Sequence, residues 1–375
     1  MSELDCQRKG WVSVVRVLLT GGGTGGHIYP ALSMMKAIKA EYPDATFLYI
    51  GTPNGLESKI VPTSGVPFES VKVSGIRRSL SLDNVKTLYH FVTAIGTAKK
   101  YIKAFNPDVV IGTGGYVCAP VVYAAAKLKF KTVIHEQNSL PGITNKFLAR
   151  HVDKILICFE EAKHYFPVHK LVLTGNPRAT EVATTLKLGK TALGLNPHKK
   201  TVLISGGSRG AKPINTAFVS MIEKYEQSNF EVVFVTGEVH YASICEQIGE
   251  LEAFKNVKIK PFIADMPKFL VNIDLFVGRS GATFLSEITA LGVPSILIPS
   301  PYVAENHQEF NARSITDHGG GTLVLEYDLT GEVLYKEITR LLNDEKILTS
   351  MRHVTKKLGI PDANTRILNV IGELI

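Results

Sequence analysis

What the sequence lacks narrows its chemistry first. Its four cysteines, Cys6, Cys118, Cys158 and Cys245, are widely separated and form neither a CxxC pair nor a Cys/His cluster with zinc spacing. A reducing compartment and no metal finger are expected. No Asp-x-Asp pair occurs, so a common way of holding a divalent cation against a diphosphate has no ligands, and no metal is expected. A GxxxxGK[ST] loop is also missing, which disfavours a P-loop ATPase. The longest apolar stretch, 117–126, is about half of the ~20 residues that span a bilayer, so any membrane contact is expected to be peripheral. The opening MSELDCQRKGW carries charges of both signs and does not read as a secretory signal.

What is present describes a folded protein with an anionic partner. With 45% hydrophobic and 20% charged residues, no segment has the composition of disorder. A chain of 375 residues exceeds what one core organises, so two domains are expected. The net charge of +8 suits a phosphorylated substrate or an acidic membrane surface. Lysines and arginines are scattered and no nucleic-acid-binding module is recognisable, so no nucleic-acid partner is expected.

Short β-branched runs alternate with amphipathic stretches almost throughout, which predicts an α/β fold of parallel strands with helices on both faces. Strands are expected at 12–20, 46–51, 66–73, 109–112, 131–136 and 154–159, then at 201–205, 231–236, 257–261, 274–277, 295–298 and 322–325. Both halves begin alike: LLTGGGTGGH at 18–27 and LISGGSRGA at 203–211 pass from an apolar strand through glycines into a helix. Two similar nucleotide-fold domains follow, with a linker near 175–177. Ligands of such sheets bind beyond the carboxyl ends of the strands, so the crevice between the domains is the expected site.

Several residues there can carry chemistry. Glycines in GGGTGGH, in IGTGGYVCAP at 111–120 and in SGGSRGA let backbone N–H groups approach a phosphate, although a strand-to-helix glycine turn needs no ligand. No acid closes the second strand, YIGTPNG, which weakens any NAD reading. In FVGRSGATFLSE at 276–287, Glu287 offers two acceptor oxygens to the two hydroxyls of a ribose; the ordinary alternative is a solvated helix residue. Backbone dipoles and Arg279 are left to neutralise a departing diphosphate. His307, Gln308 and Asn311 suit sugar hydroxyls, with Gln308 and Asn311 on one helix face, or are exposed helix residues. His27 is a candidate general base, with Glu136 its rival; His135, Glu136 and Asn138 in IHEQNSLPG can also face the cleft.

Taken in order over 22–312, GGTGGH, GTGGYV, HEQN, GNPR, GGSRGA, RSGATFLSE and HQEFNA closely resemble the MurG family of peptidoglycan N-acetylglucosaminyltransferases. The resemblance implies a GT-B fold: an N-terminal acceptor and membrane-binding domain at 1–175, a UDP-sugar domain at 176–356, and a last helix, about 357–375, returning to the first. It implies inverting transfer of N-acetylglucosamine from UDP-N-acetylglucosamine to the 4-hydroxyl of undecaprenyl-pyrophosphoryl-N-acetylmuramyl-pentapeptide, with no cofactor. The setting implied is the cytoplasmic face of the bacterial membrane, beside the wall-building machinery. Carried over by position, Thr24, Gly25, Gly26, Asn138, Ser208, Ile263 and Gln308 lie near the donor, Ile263 at the uracil. Ala282, Thr283, Phe284 and Glu287 surround ribose and diphosphate, and Gly114, Gly115 and Tyr116 face the acceptor. Arg178 and His307 stand where some members read GNPVR and QQ, so these two depart from the family pattern.

For the membrane, VSGIRRSLSLDNVKTLYHF at 73–91 interleaves Ile76, Leu80 and Leu82 with Arg77, Arg78 and Lys86. Such a segment binds an anionic membrane surface without spanning it, unless it is a solvated loop before a core-packed helix. Three other readings stay open: a GT-B glycolipid synthase with a diacylglycerol acceptor, a non-catalytic nucleotide-sugar-binding scaffold, and an NAD oxidoreductase.

Overall fold

A computed structural model of the protein describes residues 14–73, 83–207, 209–250 and 253–375; Ile76, Arg77, Arg78, Leu80, Leu82 and Ser208 lie outside them. Within these, thirteen strands form two all-parallel sheets. The first contains β1 (Arg16–Thr20), β2 (Thr46–Gly51), β3 (Phe68–Ser70), β4 (Val109–Gly112), β5 (Lys131–Glu136), β6 (Lys154–Ile157) and β7 (Leu171–Leu173), in the order β3-β2-β1-β4-β5-β6-β7. The second contains β8 (Thr201–Ser205), β9 (Glu231–Val235), β10 (Val257–Lys260), β11 (Leu275–Gly278), β12 (Ser295–Leu297) and β13 (Gly321–Leu323), in the order β10-β9-β8-β11-β12-β13.

Continuous apolar strands are the consequence of helices covering both faces of each sheet. In β1, Leu18 points into one core while Val17 and Leu19 point into the other; in β8, Val202 and Ile204 oppose Leu203 in the same way. The sequence pattern misses β7, because its three apolar residues are too few to show a period. The strand expected at 66–73 shrinks to Phe68–Ser70: Pro67, just before it, has no N–H for the ladder and contributes only its carbonyl, to Tyr49 N–H at 2.9 Å.

After the second-domain helices Gly331–Asn343 and Glu345–Leu358 the chain crosses back. Helix Ala363–Gly372 buries Ile367, Val370 and Ile371 in one core with Val17 and Leu19 of the first sheet and Ile28 of helix Gly25–Glu41. The direction in which successive strands are added reverses between β1 and β4, and again between β8 and β11, with every strand parallel. Those two points open crevices at the strand ends, and the glycine loops lie at them.

Candidate active site

The first wall of the site begins with His27, in the first turn of helix Gly25–Glu41. Its Nδ1 lies 2.9 Å from the Gly22 carbonyl, which only a protonated nitrogen can satisfy, so in the neutral ring Nε2 carries the free lone pair. The Thr24 hydroxyl is 3.3 Å from the same Nδ1. Burial lowers the His27 pKa; the Gly22 hydrogen bond opposes this, nearby His307 adds to it, and Glu57 opposes it. His27, Gly114, Gly115, Glu136 and Asn138 line a cavity of about 210 Å3 together with Ala304, Glu305 and His307 of the other domain. Tyr116 stands partly exposed beside Gly23.

Glu136 is buried in the wall of this cavity and both its oxygens are occupied. Oε1 accepts from Asn138 N–H at 3.0 Å and Nδ2 at 3.2 Å; Oε2 accepts from Gly142 N–H at 3.1 Å and Asn145 Nδ2 at 2.9 Å. Burial raises its pKa, and these four donors pull it back. Its carboxylate thereby shapes the 138–145 loop. His135, read from sequence as able to face the cleft, is instead fully buried: its Nε2–H donates to the Gly175 carbonyl at 3.0 Å, and burial lowers its pKa to about 4.

The second wall is built on helix Ala282–Leu291, which starts at Gly281 without a side-chain cap and without an acid in its first turn. Ala282, Thr283 and Phe284 therefore present the positive end of the helix, and the Thr283 hydroxyl is buried without a hydrogen-bond partner. Phe284 itself packs at a tilt against Phe276 with ring centroids 4.4 Å apart. Glu287, further along the helix, is 4% exposed. Arg178 donates to its Oε1 from Nε at 2.8 Å, and its other arm holds Glu181. Burial pushes the Glu287 carboxyl up to about 6, against the pull of Arg178.

The Gln308 side-chain oxygen accepts from Ser300 N–H at 2.9 Å, which fixes the amide so that its NH2 is the end left to donate. The Nδ1–H of His307 donates to the Ala304 carbonyl at 2.8 Å, and its ring reaches the shared cavity.

Three residues read from sequence as donor contacts have other duties here. Asn311 is fully buried: its oxygen accepts from Ser139 N–H at 2.9 Å and Oγ at 3.0 Å, and its NH2 donates to Asn138 Oδ1 at 3.1 Å and to the Ser280 carbonyl at 3.3 Å. It clasps the two domains and has nothing left for a sugar hydroxyl. Arg279 is neutralised by Glu326 and donates to the Ile298 carbonyl at 3.0 Å, so it is no counter-ion for a diphosphate. Ile263 is 4% exposed and packs in the core, where only its backbone is left to meet a base. Expectations for Ser208, Ile76, Arg77, Arg78 and Leu80 fall outside the described residues.

Sequence reasoning missed Glu57, a fully buried carboxylate beneath the first glycine loop. It lies just past the second strand, where a dinucleotide fold carries an acid, but it turns inward and not toward a ribose.

Two Rossmann-like domains with glycine corners beside a shared cleft define the GT-B fold, and the matching family models make the class a glycosyltransferase. Residues 17–157 match the glycosyltransferase family 28 N-terminal domain and 201–367 the glycosyltransferase family 28 C-terminal domain. A Bacillus cytotoxicus protein named UDP-N-acetylglucosamine–N-acetylmuramyl-(pentapeptide) pyrophosphoryl-undecaprenol N-acetylglucosamine transferase is 56% identical, over 96% of this chain and 100% of the relative. A protein of the same name from Bacillus pumilus is 53% identical over 96% and 99% of the two chains. The crystal structure of Acinetobacter baumannii MurG superposes with a TM-score of 0.77 at 26% identity, covering 96% of this chain and 99% of that one. The chain belongs to the MurG family of glycosyltransferases, within glycosyltransferase family 28.

Proposed function

We propose that this protein transfers N-acetylglucosamine from UDP-N-acetylglucosamine to the 4-hydroxyl of undecaprenyl-pyrophosphoryl-N-acetylmuramyl-pentapeptide, with inversion at the sugar carbon. The carrying observation is the 2.9 Å approach of His27 Nδ1 to the Gly22 carbonyl, which leaves Nε2 as the proton acceptor of a residue lining a cavity walled by both domains. In this reading Nε2 takes the proton of the attacking hydroxyl as its oxygen bonds to C1 from the face opposite UDP. The C1–O bond to the diphosphate breaks, and the leaving charge falls on the open start of helix Ala282–Leu291. Glu136, with four donors on its carboxylate, organises the loop beside the acceptor and is not the base. Glu287 receives the ribose, and Arg178 acts behind it by holding the carboxylate.

We divide the chain at 175/176, with the acceptor in the first domain and the donor in the second. Among the described residues no helix is long and apolar enough to cross a membrane. We place the cytoplasmic membrane face against the 73–91 segment and its neighbours, where Tyr89 and Val92 are 67% and 60% exposed and Phe147 packs near Phe91. Reversing Arg77 and Arg78 to Glu should weaken binding to anionic vesicles; equal partitioning would remove that segment from the interface.

The reaction is tested by UDP release from purified protein with a soluble muramyl-pyrophosphoryl lipid analogue. Turnover with UDP-N-acetylglucosamine is expected. Use of UDP-galactose with diacylglycerol in its place would overturn the assignment, and donor binding without any turnover would leave only a scaffold.

A further inference from the structure

We propose that Glu57 is a positioning residue for the transfer reaction: its buried carboxylate grips one end of the Gly22–Gly23 peptide group, whose other end holds the His27 imidazole by Nδ1 and leaves Nε2 as the acceptor. This inference rests on the reading of His27 as the base.

The geometry is a line of three groups. Glu57 Oε2 accepts from Gly23 N–H at 3.0 Å. The Gly22 carbonyl, 2.9 Å from His27 Nδ1, belongs to the same peptide unit as that N–H. In a trans peptide the C=O and N–H point to opposite sides, so carboxylate and imidazole sit at its two ends. A carboxylate on the N–H polarises the unit and makes the carbonyl a stronger acceptor for Nδ1–H. A serine-hydrolase triad uses a carboxylate directly on its histidine for the same purpose, fixing tautomer and orientation. Here one peptide group stands between the two.

Glu57 is held as firmly as that duty requires. Its other oxygen accepts from Thr52 N–H at 3.0 Å and from the Thr52 hydroxyl at 2.6 Å, tying the loop after β2 to the loop after β1. A Cβ added at Gly22 would lie 2.4 Å from Oε1, so the carboxylate sits directly under the loop. The side chain is 0% exposed, and no lysine or arginine among the described residues pairs with it. Burying a carboxylate without a cation is unfavourable, and hydrophobic packing alone would be served better by a leucine. An anion already inside also means that Gly23 N–H is not available to an external phosphate.

The charged and titratable groups facing His27 are Glu57 from below, Glu136 from the end of β5, and Glu305 and His307 from the second domain. Replacing Glu57→Gln removes one negative neighbour of the imidazolium. The acid limb of the kcat/KM profile should then move to lower pH, because the protonated ring loses support. Turnover should fall by about tenfold to a hundredfold as the ring loses its aim, while donor affinity in the second domain changes by less than about twofold. Histidine 15N spectra should show His27 as a single Nδ1–H tautomer in the native protein and as a mixture in the variant.

In a His27→Ala background, Glu57→Gln should cause no further loss of turnover, since its effect passes through the ring. Losses that multiply in the double variant would overturn the proposal, as would a Glu57→Gln protein with native turnover, tautomer and pH profile. Should Glu57→Gln fail to bind donor, Thr52→Val keeps the carboxylate and removes one of its donors. Slower turnover with a mixed tautomer is then expected, and native values for both would overturn the relay. Full turnover in His27→Ala would sink the base assignment itself, whereas its loss beside a silent Glu57→Gln sinks only the relay.

Discussion

The two domains use the same strand, glycine corner and helix differently. In the first, the corner is filled from within: Gly21 carbonyl accepts from Tyr49 OH at 2.7 Å, Gly22 N–H donates to Gly114 O at 3.2 Å, and Gly23 N–H meets Glu57. In the second, a Cβ added at Gly207 would meet nothing within 4 Å; the helix starts themselves are alike, since Gly25–Glu41 and Ala282–Leu291 both lack a side-chain cap and an acid in the first turn. A filled corner holds a protein side chain rigidly, and an open one leaves N–H groups for an anion that arrives. In the proposed reading, the first corner mounts the base, and the start of helix Ala282–Leu291 receives the leaving group.

The largest effect that can break this contrast is His27→Ala. It should lower turnover by about 10²- to 10⁴-fold while leaving UDP-N-acetylglucosamine affinity in calorimetry nearly native. Equal damage to both would mean that the first corner also receives the donor.

A pair of glycine substitutions measures the packing difference directly. Gly115→Ala places a Cβ 2.2 Å from the Gly22 carbonyl at φ +82°, and should destabilise the first domain by roughly 3 kcal/mol or more. Gly207→Ala, at φ +90° in open space, should show only backbone strain of about 1–2 kcal/mol. Similar losses in denaturant titrations would erase the distinction.

Between the two corners stands the Asn311 clasp. Asn311→Asp keeps the acceptor for Ser139 but turns an oxygen toward Asn138 Oδ1 and the Ser280 carbonyl. Turnover should drop by about tenfold, with a wider domain separation in small-angle scattering, because a buried acceptor facing acceptors costs about 1–3 kcal/mol. Unchanged scattering and rate would make the clasp ornamental.

A pH dependence in the second domain is confined to a narrow range. The Glu287 carboxyl, at about 6 when folded, lies above its ordinary value of 4.5. Its contribution to stability is therefore full below about 4.5 and is lost as pH rises through about 6, by on the order of 2 kcal/mol. Glu287→Gln should flatten the melting curve over that range and weaken donor binding at neutral pH. Parallel melting profiles for the two proteins would contradict the assignment.

Much of this was legible beforehand. The parallel α/β class, the doubled strand-glycine-helix openings and the presence of His27, Glu136 and Asn138 near the cleft all follow from local pattern. The failures share a cause. Arg279 and Asn311 have side chains suited to a ligand, yet their partners, Glu326, Ser139 and Ser280, are remote in sequence, so only packing reveals that they are already bound. Glu57 was overlooked for the converse reason: an acid soon after a strand resembles a surface residue until the loop folds over it.

By itself the sequence determined periodicities and backbone freedoms: apolar strands that must be covered on both faces, and glycines where the chain turns into a helix. Only the tertiary structure decided which polar groups were spent inside the molecule and which stayed free. Hydrogen-bond partners of buried side chains come from other strands and from the other domain, and local sequence carries no record of those distances.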